Sequence, residues 1–362
     1  MLTRSLPLIL SIYFIAFFAP CHAQVSLTGK VVNDETGLPV AGASVYFNNT
    51  SIGTSSNAKG EFSFSAIELV NTELIVSSVG YEILAFKLEA PAVNGKHYLC
   101  RLSKKEQLLK DVLILSDASK RKWLALFKEN FLGITEEASR SNIVNERDIY
   151  FTKGKERNTF NAYSDTALVI INKMLGYKVF FQLVEFSFNE STGRTYFYGY
   201  TRYEELGNKK RWISNRKKAY TGSTQHFYRA LLKNELREAG FDIYLIRDVK
   251  MSPGADKMSM AVGITASQIL SIDTARPNFH RVTLAGKLMV QYRKDPSSKA
   301  YLKNKVLLQD ILPIGVRSFI IPVNSFFSID SNGIVEYPLS IEYTGFWVYE
   351  KAANLLPYNY QP

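Results

Sequence analysis

The chain has 362 residues, of which 46% are hydrophobic, 13% aromatic and 21% charged, with 44 Lys and Arg against 33 Asp and Glu. That length suits two or three domains, and that balance of apolar and charged residues excludes a disordered chain. With only two Cys, a disulfide scaffold is excluded as well.

The first 23 residues read as a secretory signal. Arg4 gives a positive start, Leu6 to Ala19 is apolar apart from Pro7 and Ser11, and Cys21-His22-Ala23 puts a small residue at a cut site before Gln24. The apolar run is short for a membrane-spanning helix, which needs about 20 residues. No later run of about 18 apolar residues follows, so no helical span is expected in the mature chain. The expected place is therefore the periplasm or the outer membrane. Cys100, the remaining thiol, is expected as a small buried apolar residue.

Residues 24–116 alternate short strand-like runs with turns. The runs are Val25 to Asn33, Ala43 to Phe47, Glu61 to Phe64, Leu74 to Ser78, Ile83 to Leu88, His97 to Leu102 and Val112 to Leu115. Asp34-Glu35-Thr36-Gly37 and Asn57-Ala58-Lys59-Gly60 carry turn chemistry: Asp or Asn starts the turn and Gly takes positive φ. Short strands at this spacing predict a seven-stranded β-sandwich of Ig-like type.

The order Gly29-Lys30-Val31-Val32, Thr36-Gly37, Pro39-Val40-Ala41-Gly42-Ala43-Ser44-Val45, Gly53-Thr54, Asn57, Gly60-Glu61-Phe62 and Val79-Gly80-Tyr81 resembles the carboxypeptidase regulatory-like domain. That resemblance implies a transthyretin-like β-sandwich, common in secreted proteins of Bacteroidetes-type bacteria and usually an accessory module. It does not bring the peptidase with it. A zinc carboxypeptidase of the related type needs His-x-x-Glu, and three positions after His22, His97, His226 and His280 stand Val25, Cys100, Arg229 and Thr283. The residues after the sandwich are too few for the plug and large barrel of a TonB-dependent receptor.

Residues 117–362 are expected to form one strand-rich α+β domain, so the fold class is mainly β. Trp123, Phe127 and Phe131 at i, i+4, i+8 predict a helix stopped by Gly133, packed on the domain core. Tyr177 to Phe188 and Thr195 to Tyr203 predict a long hairpin around Asn189–Gly193. Tyr196, Tyr198 and Tyr200 alternate along its return strand and share one face. Packing of that face under a helix is the first expectation, stacking on sugar rings the second. Further strands are expected at Phe241 to Ile246, Arg281 to Tyr292, Ser318 to Ile321, Phe326 to Ile329 and Ile334 to Tyr343. A loop is expected at Met251 to Met260 and a turn at Ser331-Asn332-Gly333. The closing Trp347 and Asn354 to Pro362 resemble the end of other secreted proteins that pair this sandwich with an uncharacterised domain.

The densest polar group lies between these strands. A loop carrying Lys209, Lys210, Arg211, Trp212, Arg216, Lys217, Lys218 and Tyr220 is expected to lead into one helix from Ser223 to Gly240. At 100° per residue, Phe227, Tyr228, Leu231, Leu232, Leu236 and Ala239 share its apolar face. His226, Arg229, Lys233 and Arg237 share the other. Together these residues predict a basic aromatic surface able to bind an anionic envelope glycan or lipid, or an outer-membrane protein.

The reading is an exported, non-enzymatic envelope protein with a binding or scaffolding role. It has no expected cofactor, metal or nucleic-acid partner, and nothing in the sequence sets its oligomeric state. Two alternatives stand beside it. One is a glycan- or peptide-directed hydrolase using the Ser223–His226 region with carboxylates that the sequence does not assign. The other is a small outer-membrane barrel, for which the strands lack sustained apolar-out alternation.

Overall fold

The computed structural model describes residues 25–66, 73–88, 96–105, 116–250, 257–294, 311–312 and 315–362. The expected signal segment and the strand expected at Val112–Leu115 lie outside the described residues.

The first domain is a sandwich of two sheets. Its strands are β1 (Val25–Asn33), β2 (Ser44–Phe47), β3 (Gly53–Ser55), β4 (Glu61–Ala66), β5 (Glu73–Ser77), β6 (Leu84–Lys87) and β7 (His97–Leu102), ordered β4-β1-β7 and β3-β2-β5-β6. Leu27 and Val31 from one sheet meet Val45, Leu74 and Val76 from the other in a common core. Cys100 lies there too, and burial pushes its thiol up to about 11, as a small apolar residue would have it. The first turn is held by Asn33, one residue before the expected Asp34. Its side-chain oxygen accepts from the amides of Glu35 and Thr36 at 3.0 and 2.8 Å. In the second turn Asn57 does the same for Lys59 and Glu61.

After the sandwich come α1 (Asp117–Leu132), α2 (Glu136–Ser139) and the strands β8 (Ser141–Ile143), β9 (Ile149–Lys153), β10 (Thr159–Ser164), β11 (Leu168–Asn172), β12 (Tyr177–Asn189) and β13 (Thr195–Glu205). Ser116 caps α1 by accepting from the Ser119 amide, and Gly133 ends it. The stripe of Phe127 and Phe131 packs on Phe186 and Phe181 with ring centroids 4.7 and 4.9 Å apart. The sheet order is β8-β11-β12-β10-β9, and β13 pairs with β12 as the expected hairpin.

Beyond this sheet lie α3 (Lys210–Tyr220), α4 (Thr224–Leu232) and α5 (Leu236–Ala239). The strands β14 (Phe241–Lys250), β15 (Lys257–Gly263), β16 (Leu270–Ile272), β17 (Phe279–Thr283), β18 (Lys287–Tyr292), β19 (Ile311–Leu312), β20 (Gly315–Pro322), β21 (Phe326–Asp330) and β22 (Ile341–Gly345) follow. They form a sheet ordered β15-β14-β18-β20-β19, with β22 on β20, and a smaller sheet β16-β17-β21. Phe227, Leu231, Phe241, Val290, Ile320 and Trp347 share a third hydrophobic core, separate from the sandwich core and from the one under α1.

Several expectations are corrected here. Residues 210–220 are a helix instead of a loop. The expected single helix from Ser223 breaks at Asn234, which takes a φ of 57° between α4 and α5. Lys257–Gly263 is a strand, so the expected loop ends earlier. The run Arg281 to Tyr292 divides at Gly286 into β17 and β18. Ile334 to Tyr343 is mostly not strand: Pro338 opens a 3-10 turn, and β22 starts only at Ile341. The strands fall into five separate sheets among the described residues, unlike the single closed sheet of a barrel.

The sandwich is joined to the rest of the chain by backbone hydrogen bonds. Its loop Asn48–Ser51 pairs with the edge of β13: Asn49 donates to the Thr201 carbonyl at 2.7 Å, and Tyr203 donates to the Thr50 carbonyl at 2.9 Å. The loop thereby covers an edge that would otherwise offer unpaired backbone groups. The C-terminal segment crosses the same place, where Tyr358 donates to the Asn49 carbonyl at 2.7 Å.

Candidate functional site

The expected basic aromatic surface divides into an inner and an outer part. Trp212, Arg216 and Tyr220 recur at i, i+4, i+8 on α3 and are all buried. Trp212 and Arg216, with Asn215 between them, hold the turn between β11 and β12. Trp212 Nε1 donates to the Lys173 carbonyl at 3.0 Å and Asn215 Nδ2 to the Met174 carbonyl at 2.9 Å. Arg216 Nε donates to the Leu175 carbonyl at 2.8 Å and its Nη2 to Gly176 at 3.0 Å. Its Nη1 pairs with Glu205 at 3.0 Å, and the guanidinium lies 3.9 Å from the Tyr177 ring centroid. Gly176 has a φ of 70°, and a Cβ there would come within 2.2 Å of the Trp212 ring, so the close seat of α3 depends on that glycine. Arg216 and Trp212 are thus removed from the candidate surface, because three carbonyls and a carboxylate take up their donors, and Tyr220 is removed by burial.

The outer part remains. Lys210, Arg211, Lys217 and Lys218 are exposed, with Ser214 between them and Ile213 52% exposed beside them. At 100° per residue these four cations fall within one face of α3. Lys209, exposed at the N-terminus of the helix, lies 4.8 Å from the Trp212 ring centroid.

The second half of the expected surface does not join it. Arg229 sends Nη1 to the Tyr360 carbonyl at 2.8 Å and Nη2 to the Tyr358 carbonyl at 2.7 Å, so α4 spends this cation on its own chain. His226 is packed against Tyr220, Phe241 and Tyr292. Burial, then the Lys294 and Arg229 cations, lower its pKa to about 4, which makes it a neutral ring at ordinary pH. Lys233 and Arg237 are exposed, but they stand at the end of α4 and on α5, on the third hydrophobic core.

Ser223 and His226 do not form a nucleophile–base pair. Ser223 Oγ donates to the Tyr220 carbonyl at 2.7 Å and accepts from the His226 amide, as a helix cap does. His226 Nδ1 accepts from the Gly222 amide at 3.1 Å. The imidazole therefore has its acceptor nitrogen occupied by backbone, and the pair named in the hydrolase alternative is a cap and a packed ring.

A second concavity, of about 310 Å³, lies between the sandwich and the face of the β12 sheet that α1 leaves uncovered. Phe181, Phe186 and Phe197 face α1, so their neighbours Gln182, Tyr196 and Tyr198 point the other way. The row Tyr196, Tyr198 and Tyr200 is therefore not under a helix, contrary to the first expectation. Tyr196 is 37% exposed, and the Tyr198 and Tyr200 rings are 5.6 Å apart. On the same face Tyr150 of β9 and Tyr163 of β10 are register partners. Their ring centroids are 5.7 Å apart and their planes differ by 24°. Lys105 of the sandwich reaches Asp165 at 2.9 Å across one end, and Tyr150 donates to the same carboxylate at 3.3 Å. Burial and Asp165 push the Tyr150 hydroxyl up to about 12. Sequence reasoning missed this group. Alternation places Tyr150 and Tyr163 on outward faces, but only the register of β9 on β10 makes them neighbours.

The two-sheet domain with a parallel β1–β7 pair is a transthyretin-like sandwich in class. Residues 27–114 match the family model of the CarboxypepD_reg-like domain, and the N-terminal domain of this chain is such a domain. Beyond that domain the likeness to known proteins is distant. A solved Bacteroides fragilis structure described as a "putative membrane-associated protein of unknown function" is 7% identical, covers 75% of this chain and 91% of that chain, and has a TM-score of 0.19. A Bacteroides uniformis structure described as a "putative carbohydrate binding protein" is 7% identical, covers 84% of this chain and 98% of that chain, and has a TM-score of 0.18. No curated protein matches the chain.

Proposed function

We propose that this is an exported, non-enzymatic binding protein of the cell envelope, docked on an anionic lipid surface by the outer face of α3. One observation carries the reading. Lys210, Arg211, Lys217 and Lys218 share an exposed helix face, and none of them enters the ion pairs found among the described residues. A cation near an anionic membrane contributes about 1 kcal/mol, so four give roughly 4 kcal/mol at low salt. Ile213 adds an exposed apolar side chain among them. Three further features support the reading: the signal-like N-terminus, the accessory nature of the sandwich family, and the backbone-occupied His226.

Co-sedimentation with lipid vesicles tests it. The full mature chain is expected to pellet with phosphatidylglycerol vesicles and not with phosphatidylcholine vesicles. Release by about 0.5 M salt is expected, because exposed charges are screened within a few ångströms there. Equal binding to both lipids, or to neither, would contradict the reading.

A further inference from the structure

We infer that the cleft between the sandwich and the outward face of the β12 sheet is a binding site for a small neutral saccharide, separate from the α3 face. The floor supplies an apolar platform. Tyr150 and Tyr163 form a stacked pair, ring centroids 5.7 Å apart and planes 24° apart, both half-buried and both lining the cleft. The faces of such rings carry negative partial charge. The C–H groups on one face of a sugar ring carry positive partial charge, and this is the complement.

The walls supply short polar groups able both to donate and to accept. Gln182 lies on the sheet side, and Ser77, Ser78 and Tyr81 lie on the sandwich side. A carboxamide and hydroxyls of this kind match a ligand whose rim is all hydroxyl groups. A few placed polar groups around an apolar or aromatic surface are the general form of a small-molecule site, and about 310 Å³ is at the small end of such sites.

Charge selects among the ligands. The cation facing the cleft, Lys105, is spent on Asp165 at 2.9 Å, and Tyr150 donates to that carboxylate as well. Glu82 adds a second carboxylate on the sandwich wall. A phosphate or a uronic acid would meet two carboxylates and one neutralised lysine, so a neutral ligand is favoured. A peptide is favoured less. The rings line the face of the sheet, whereas peptides that add to a sheet pair along an edge such as β9.

The test is a glycan array carrying neutral, amino and acidic oligosaccharides, probed with the full mature chain and followed by titration calorimetry on the best neutral binder. An Ala-Gly-Ser tripeptide serves as the comparison ligand. A neutral saccharide is expected to bind. Tyr163→Ala should weaken it by up to about tenfold, as the loss of one aromatic contact does. Tyr163→Phe keeps the ring and should stay within about threefold. Gln182→Ala should weaken binding too, which decides the matter if Tyr163→Ala does not fold. Replacing Lys210, Arg211, Lys217 and Lys218 with Ser should leave saccharide affinity unchanged, so failure of this inference and failure of the proposed docking are read separately. Absence of saccharide binding, preference for acidic glycans, binding of the tripeptide alone, or a signal indifferent to both Tyr163→Ala and Gln182→Ala would overturn it.

Discussion

Two neighbouring helices, α3 with five cations and α4 with one, use them in different ways. On α4, Arg229 is tied to two carbonyls of the C-terminal segment and His226 is held neutral among three aromatic rings. On α3, one cation is consumed in the same manner, Arg216, and four stay in solvent. A basic run in sequence is therefore two populations. One replaces water at carbonyls inside the fold, and the other is available to an external anion. Proximity in sequence does not say which is which.

Substitutions can break this comparison, and the largest effect is expected inside α3. Arg216→Ala removes the side-chain donor from the Leu175 carbonyl, leaves Gly176 only the Leu206 amide, unpairs Glu205, and should cost about 3 kcal/mol of stability, read from urea unfolding. Vesicle binding per folded molecule should not change. Arg216→Lys should not restore the loss, because a single ammonium cannot reproduce the planar fork. Next comes Arg229→Ala, at about 2 kcal/mol, since two charge-assisted hydrogen bonds to partly buried carbonyls are lost. Limited proteolysis should then cut beyond Pro357, the stretch those bonds hold, faster than in the wild type.

A smaller effect follows from His226. The folded chain keeps it neutral down to about pH 4, whereas an unperturbed histidine protonates near 6.5. Unfolding between these values takes up a proton, so this residue makes stability rise with pH through that window and fall as the pH is lowered. His226→Gln should flatten the slope in a pH series of unfolding midpoints. The smallest stability effect is expected on the outer face of α3, where changing Lys210, Arg211, Lys217 and Lys218 to Ser should alter unfolding by no more than about 0.5 kcal/mol. A large loss there would mean those cations also support the fold, and the division drawn above would fail.

The sandwich was legible in sequence because its signals are local. Alternation such as Phe62 and Phe64, and the turns at Gly37 and Gly60, belong to one short stretch each. The helix α1 was legible for the same reason, its stripe being purely aromatic. The helix α3 was not. Its buried stripe is Trp212, Arg216 and Tyr220, and an arginine at the middle position conceals the period that would have marked a helix. What makes Arg216 a buried residue is the pair of carbonyls at Leu175 and Gly176, distant in sequence. The break at Asn234 was hidden differently, since Leu232, Leu236 and Ala239 keep a helical spacing across it. A positive φ at Asn was the one local signal. The cleft was illegible because it is made of registers: Tyr150 opposite Tyr163, and the Asn48–Ser51 loop against β13.

The most direct test of the account is a side-by-side vesicle sedimentation with phosphatidylglycerol. It compares the wild type, the variant with Lys210, Arg211, Lys217 and Lys218 changed to Ser, and the double variant Lys233→Ser with Arg237→Ser. The account predicts that the first variant stays in the supernatant while the double variant pellets like the wild type. Pelleting of the first variant at wild-type level, or loss of pelleting by the double variant, would contradict the assignment of docking to α3.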